Sequence, residues 1–177
     1  MSEDTLFSEK RKFQIEEGIL ILLLVLSLTG TGITDYSPTD GYVYWLIMSV
    51  IFAISAMIIA WLQSKHKASD IKHILREQTL HWGTSMLIVA AAFSIQQTEQ
   101  FDETSAGVVV LLILSLSTIL DGIRIGWRFS LVGIFLGVSA VVTSIMQRSI
   151  WIELLMAIGI VALTILWELW QHKRQSI

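Results

Sequence analysis

Ionisable side chains that could do chemistry lie at the ends of the apolar stretches of this sequence. Glu77 and His81 are four residues apart, and Asp121 precedes Arg124 by three, so the members of each pair share one face of a helix. An ionisable group at the centre of a membrane costs about 2.5–3.5 kcal/mol, which makes such a residue in an apolar stretch a candidate for function. We define the polar layer as Glu17, Glu77, His81, Asp121, Arg124, Arg128 and Glu168.

The polar layer has two chemical interpretations. In the first it is a relay for protons or cations, because a histidine titrates near neutral pH and carboxylates lie beside it. In the second it is a ring of ion pairs between helices, for example Asp121 with Arg124 and Glu17 with Arg128. None of these residues lies at the middle of an apolar stretch, and we favour the ion pairs.

The chain lacks the residues that metal-dependent or covalent catalysis usually requires. Glu77 and His81 could present two metal ligands, but no Glu-x-x-His or His-x-x-x-His motif accompanies them. The absence of cysteine excludes thiolate ligands and cysteine nucleophiles. The chain also lacks Gly-x-Ser-x-Gly, His-Glu-x-x-His and a phosphate-binding glycine loop. We therefore predict no enzyme activity, no catalytic residues, no metal and no cofactor.

Six apolar stretches must position the polar layer. The chain is 54% hydrophobic and only 15% charged, whereas charged residues make up about 25% of a soluble domain. An α-helix of about 20 residues crosses the hydrocarbon core of a bilayer, and continuous apolar runs do not fit the alternating pattern of a membrane β-barrel. We predict an all-α integral membrane protein with six transmembrane helices at residues 15–34, 42–62, 79–96, 106–125, 127–147 and 150–170.

Basic residues predict the orientation of these helices. Of the 12 Lys and Arg, all but Arg148 lie in the N-terminal tail, the second and fourth connections, or the C-terminal tail. Basic connections face the cytoplasm. We predict three helical hairpins in a bacterial inner membrane, with both termini cytoplasmic.

Three further segments complete the predicted domain organisation. Cytoplasmic tails at 1–14 and 171–177 flank a transmembrane domain at 15–170. The connection 63–78 has an apolar helical face among basic residues, and the tail 1–14 has a weaker form of that pattern, as in helices that lie in the headgroup layer. We expect both segments to contact anionic lipid, although 63–78 is equally compatible with the cytoplasmic start of the third span.

Small residues predict where helices pack closely. Gly133, Gly137 and Ala140 form one face of the fifth span, and Ala157 and Gly159 lie in the sixth. Small residues let helix backbones approach in a membrane. The partner is either another span of the chain or a second copy, and we predict self-association through these two spans.

Two functional classes fit these observations. The first is a non-catalytic subunit, scaffold or stress-response component that binds a second copy or another membrane protein. The alternative is an oligomeric channel or transporter for ions, protons or small solutes, which would need a polar route to the membrane midplane. Partners are the bilayer and membrane proteins, and we expect no nucleic acid.

Overall fold

The computed structural model describes residues 3–64, 68–98, 103–145 and 150–175, and over these residues it is all-helical. This confirms the all-α prediction. Parts of the predicted tails and of the connection 63–78 lie outside the described residues, at positions 1–2, 65–67 and 176–177, and so does Arg148. The six helices are α1 (Glu3–Tyr36), α2 (Pro38–Gln63), α3 (Ala68–Gln96), α4 (Glu103–Ile125), α5 (Trp127–Ile145) and α6 (Ile150–Gln175).

Two helices extend well beyond their predicted spans. α1 runs without a break from Glu3 to Tyr36, so the described part of the tail 1–14 continues into the first span. The connection 63–78 is divided, because α2 ends at Gln63 and α3 begins at Ala68. Most of that connection is therefore part of α3, and its position relative to the membrane stays a prediction.

Five of the six helices are long and apolar enough to cross a membrane, namely α1, α2, α4, α5 and α6. These five helices indicate a membrane protein. α3 does not belong to this group, because polar residues occupy the first half of its predicted span. Two of them, His81 and Ser85, are directed at Ser117 of α4. That α3 crosses the membrane as the sixth span stays a prediction.

The helices pack in an order that differs from their order in the chain. α3 packs on α2 and α4. α2 packs on α1, α4 packs on α5, and α6 packs on α1 and α5. The most extensive pair is α4 with α5, which joins two of the predicted hairpins, so the grouping into three hairpins stays a prediction. The buried core includes Leu23, Leu24, Phe52, Leu114, Val132, Phe135 and Leu136.

A tight corner joins α4 to α5. Gly126 is the single residue between them, and its φ of 144° is a conformation that other residues rarely adopt. A Cβ on Gly122 would lie 2.3 Å from the backbone nitrogen of Ser130, so the two helices meet backbone to backbone. The corner holds Arg124 and Arg128 at the same end of the molecule, one on each helix.

Gly133 and Gly137 have their partner within the chain. A Cβ on Gly133 would lie 2.7 Å from the backbone nitrogen of Ile119, and one on Gly137 would lie 2.7 Å from Oγ of Ser115. Oγ of Ser115 also donates a 2.7 Å hydrogen bond to the carbonyl of Gly133. Close packing at these glycines therefore joins α5 to α4, and the glycines give no support to self-association, which stays a prediction.

The remaining small residues have different environments. Ala140 is fully buried, and Ala157 is buried beside an apolar groove between α1 and α6. Gly159 is exposed, and apart from its chain neighbours and its own helix backbone no described atom lies within 4 Å of the position where a Cβ would be. Of the small residues predicted to pack, only Gly159 is exposed on the surface of the bundle.

Candidate functional site

Asp121 is the most deeply buried member of the polar layer, with no exposed surface. Its Oδ1 accepts a 2.9 Å hydrogen bond from Nε2 of Gln78, and its Oδ2 accepts a 3.1 Å hydrogen bond from Nε1 of Trp82. Both donors belong to α3 and are one helical turn apart, so one face of α3 holds both carboxylate oxygens. Phe52 of α2 stacks on Trp82 with ring centroids 5.7 Å apart.

Arg124 connects Asp121 to the outer part of the same network. It donates a hydrogen bond to Oε2 of Glu77, and its other terminal nitrogen is 4.0 Å from Oδ1 of Asp121. Nδ1 of His73 is 3.5 Å from the same Glu77 oxygen. We call Glu77, Gln78, Trp82, Asp121 and Arg124 the Asp121 network. It joins α3 to α4.

His81 takes no direct part in this network. Its Nε2 is 3.0 Å from the backbone oxygen of Ser117 on α4, a contact in which the ring nitrogen donates. Ser85, one turn later on α3, bonds Oγ of Ser117 at 2.8 Å. His81 therefore contributes to α3–α4 packing, and among the described contacts it bonds no carboxylate.

Arg128 organises a second network on the other side of the corner. Its guanidinium is 3.0 Å from Glu16, 3.6 Å from Glu17 and 3.3 Å from Glu168, measured between the nearest nitrogen and oxygen. Oε1 of Glu17 accepts a 2.7 Å hydrogen bond from Oγ1 of Thr164. We call these five residues the Arg128 network, and it joins α1, α5 and α6.

Aromatic rings cover the Arg128 guanidinium. Its central carbon is 4.6 Å from the ring centroid of Phe13 and 5.3 Å from that of Trp127. Such contacts attract a cation to the ring face and exclude water from it. The guanidinium side chain is only 14% exposed, so these ion pairs are shielded from solvent.

Apart from His81, the polar layer divides into two networks at one end of the bundle. Glu77, Asp121 and Arg124 come together, as do Glu17, Arg128 and Glu168. Both ion pairs suggested by the sequence, Asp121 with Arg124 and Glu17 with Arg128, are present. Gln63 of α2 lies between the networks, since it donates to Glu16 at 3.2 Å and lines a cavity beside Glu77.

Sequence reasoning missed three neutral partners, Gln78, Trp82 and Thr164. It considered ionisable residues as candidates and gave no role to amides, indoles and hydroxyls. A signal was present for Gln78 and Trp82, because their spacing of four residues puts two side-chain N–H donors on the helical face that also carries Ser85. Thr164 gave no comparable signal.

A third polar cluster lies at the other end of the bundle. Glu153 of α6 is 3% exposed and accepts a hydrogen bond from Oγ1 of Thr31 on α1. Thr143 of α5 donates to the same carboxylate at 3.5 Å. The three helices of the Arg128 network therefore also meet at a buried carboxylate at their opposite end.

The chemistry available in these clusters is hydrogen bonding and ion pairing. Among the described residues, no group of three or more His, Asp or Glu side chains is arranged to hold a metal ion. Charged groups of different helices are close enough to bind one another and to set helix register. No protein-family model matches the chain, and no curated protein or solved structure matches it either.

Proposed function

We propose that the chain is a non-catalytic component of a membrane assembly, in which the two networks hold the bundle together at its cytoplasmic end. One observation carries this proposal: Arg124 and Arg128 each bind carboxylates from other helices. Removing one partner of a buried charge pair, such as those of Arg128, costs about 3–5 kcal/mol, and buried polar groups have been found to set helix register in some proteins. Ion-paired groups also carry protons or cations poorly, because each group must first lose the interaction with its partner.

The surface that we assign to assembly is α6. Only 11% of its spanning residues are buried, against 39–44% in the other four span-length helices. Gly159 is exposed on this helix and has open space around it, so a partner helix could approach closely. We propose that α6 binds a second copy of this chain.

Two matched glycine variants test the assembly surface. The measurement is the mass of the purified protein in nanodiscs or mild detergent by native mass spectrometry. Gly159→Leu should reduce an oligomer to monomers, because the bulky side chain fills the contact. Gly83→Leu is the control, since Gly83 of α3 is also exposed with nothing within 4 Å of a Cβ. A monomeric wild type, or equal masses for all three proteins, would overturn the α6 assignment.

A second candidate, proton or cation transport, is favoured by one feature of the α1–α5–α6 interface. Buried carboxylates Glu17 and Glu153 lie at its two ends. Between them along α1 and α5 are Ser27 and Ser139, both fully buried, whose hydroxyls bond no other side chain or backbone group in the described residues. Such hydroxyls are able to line a polar path. Apolar residues of the core fill the rest of that interval, which is why we rank transport second.

Flux measurements separate the two candidates. If the chain is an assembly component, liposomes that contain the protein and an internal pH dye should be no more permeable to protons than protein-free liposomes. A proton flux that Ser139→Ala and Glu17→Gln both abolish would favour transport along the α1–α5–α6 interface.

A further inference from the structure

A partly open cavity of about 590 Å³ lies between α2, α3 and α4 at the end that carries the two networks. Its polar wall consists of Gln63, Ser64, His73, Glu77, Gln78 and Arg124. Cavities that bind small molecules usually have volumes of about 300–1,000 Å³. The cavity is therefore large enough for an organic molecule and much larger than a single ion requires.

The Asp121 network determines which atom Gln78 presents to this cavity. A carboxylate whose two oxygens both accept hydrogen bonds can bind only the NH₂ side of an amide. Nε2 of Gln78 donates to Asp121, so Oε1 must be directed elsewhere. Gln78 is 2% exposed, and its Oε1 accepts no hydrogen bond from the described part of the chain. A buried acceptor without a protein donor is satisfied by water or by a bound molecule, so Oε1 is available to accept from a ligand.

The charge around the cavity favours a cation. The Glu77 carboxylate lines the cavity, and the buried Asp121 carboxylate lies behind its wall. Arg124, which is in contact with both, contributes one positive charge. Together Glu77, Asp121 and Arg124 carry one formal negative charge. Gln63 is oriented like Gln78, because its Nε2 donates to the Glu16 carboxylate and its carbonyl oxygen remains an acceptor.

We infer that this cavity binds a small organic cation through a guanidinium or ammonium group. An N–H of that group donates to Oε1 of Gln78, and the positive charge faces the Glu77 carboxylate. The remaining volume, bounded by Ala60, Ile74 and Ile125, accommodates an apolar substituent of the ligand. This binding site goes beyond the assembly role and does not depend on it.

Titration of the full-length protein in nanodiscs tests the ligand class. The probe is butylguanidinium, and butylurea is its uncharged counterpart with similar shape and N–H groups. Isothermal calorimetry at constant ionic strength should give saturable binding of one butylguanidinium per chain, at least tenfold tighter than butylurea. Equal affinity for butylurea would overturn the role of charge. Tighter binding of inorganic phosphate than of butylguanidinium would overturn the assignment of an organic cation as the ligand. Displacement of butylguanidinium by sodium ion alone would overturn it as well.

Three variants test the assigned atoms. Glu77→Gln should weaken butylguanidinium binding tenfold or more, and because Glu77 is 44% exposed the fold should tolerate it. Glu168→Gln is the control, since this carboxylate belongs to the Arg128 network, and it should keep wild-type affinity. Asp121→Asn lets the Gln78 amide turn, so that NH₂ replaces Oε1 at the cavity, and binding should be lost. Unchanged affinity in Glu77→Gln, or in folded Asp121→Asn, would overturn the site.

Discussion

Replacing Asp121 by alanine should destabilise the bundle more than any other single change in the polar layer that leaves both arginines in place. The substitution leaves Nε2 of Gln78 and Nε1 of Trp82 without their acceptor, and both residues are 2% exposed. A buried donor without a partner costs about 1–3 kcal/mol, which sums to about 2–6 kcal/mol for the two. Helices that separate within a membrane find other partners, and this lowers the average to about 0.6 kcal/mol for each hydrogen bond. The expected loss therefore lies between about 1 and 6 kcal/mol.

The assay is unfolding of the purified protein in mixed micelles by titration with sodium dodecyl sulfate, followed by helical circular dichroism. The matched control is Glu77→Ala, which removes a carboxylate from the same network. The Glu77 and Arg124 side chains are 44% and 41% exposed, so their pair contributes about 0–1 kcal/mol. A loss for Asp121→Ala that equals the loss for Glu77→Ala would refute the idea that burial of the two donors determines the stability of this network.

Three further predictions concern the second network, the corner and the topology. Arg128→Gln should lower the free energy of unfolding by about 3–5 kcal/mol, because it removes the cation that Glu16, Glu17 and Glu168 share, and the same titration measures the loss. Gly122→Val should disrupt the α4–α5 corner, since even a Cβ would be 2.3 Å from the nitrogen of Ser130; lower yield of folded protein and greater protease sensitivity would report it. Reporter fusions at Asp40 should be external and those at both termini cytoplasmic, and termini on opposite sides would refute the six-span topology.

The helices could be predicted because their physical signal is local. A run of about 20 apolar residues has to be a helix in a membrane, whatever surrounds it. α3 lacks such a run in its first half, where His81 and Ser85 contact Ser117 of α4. The polarity of α3 therefore reflects its contact with a neighbouring helix, and such a contact cannot be predicted from the sequence of one segment. The same limit applies to the pair of Gly133 and Gly137, whose small size predicts a close contact without identifying the partner.

The division of the polar layer into two networks could not be predicted for a different reason. Arg124 and Arg128 are four residues apart, and on one continuous helix they would share a face. The corner at Gly126 ends α4 between them, so Arg124 binds partners on α3 while Arg128 binds partners on α1 and α6. Gly126 alone is a weak signal for such a break, because glycine also occurs within membrane helices.

The neutral residues of the two networks acquire their chemistry from the charges behind them. An isolated glutamine can present either side of its amide, so its sequence position says nothing about which ligand it prefers. In this bundle Gln63 and Gln78 each give their NH₂ group to a carboxylate, Glu16 and Asp121 respectively. Each is thereby converted from an ambiguous polar group into an acceptor with a defined direction. Buried carboxylates that contact no ligand themselves can thus determine what the cavity binds.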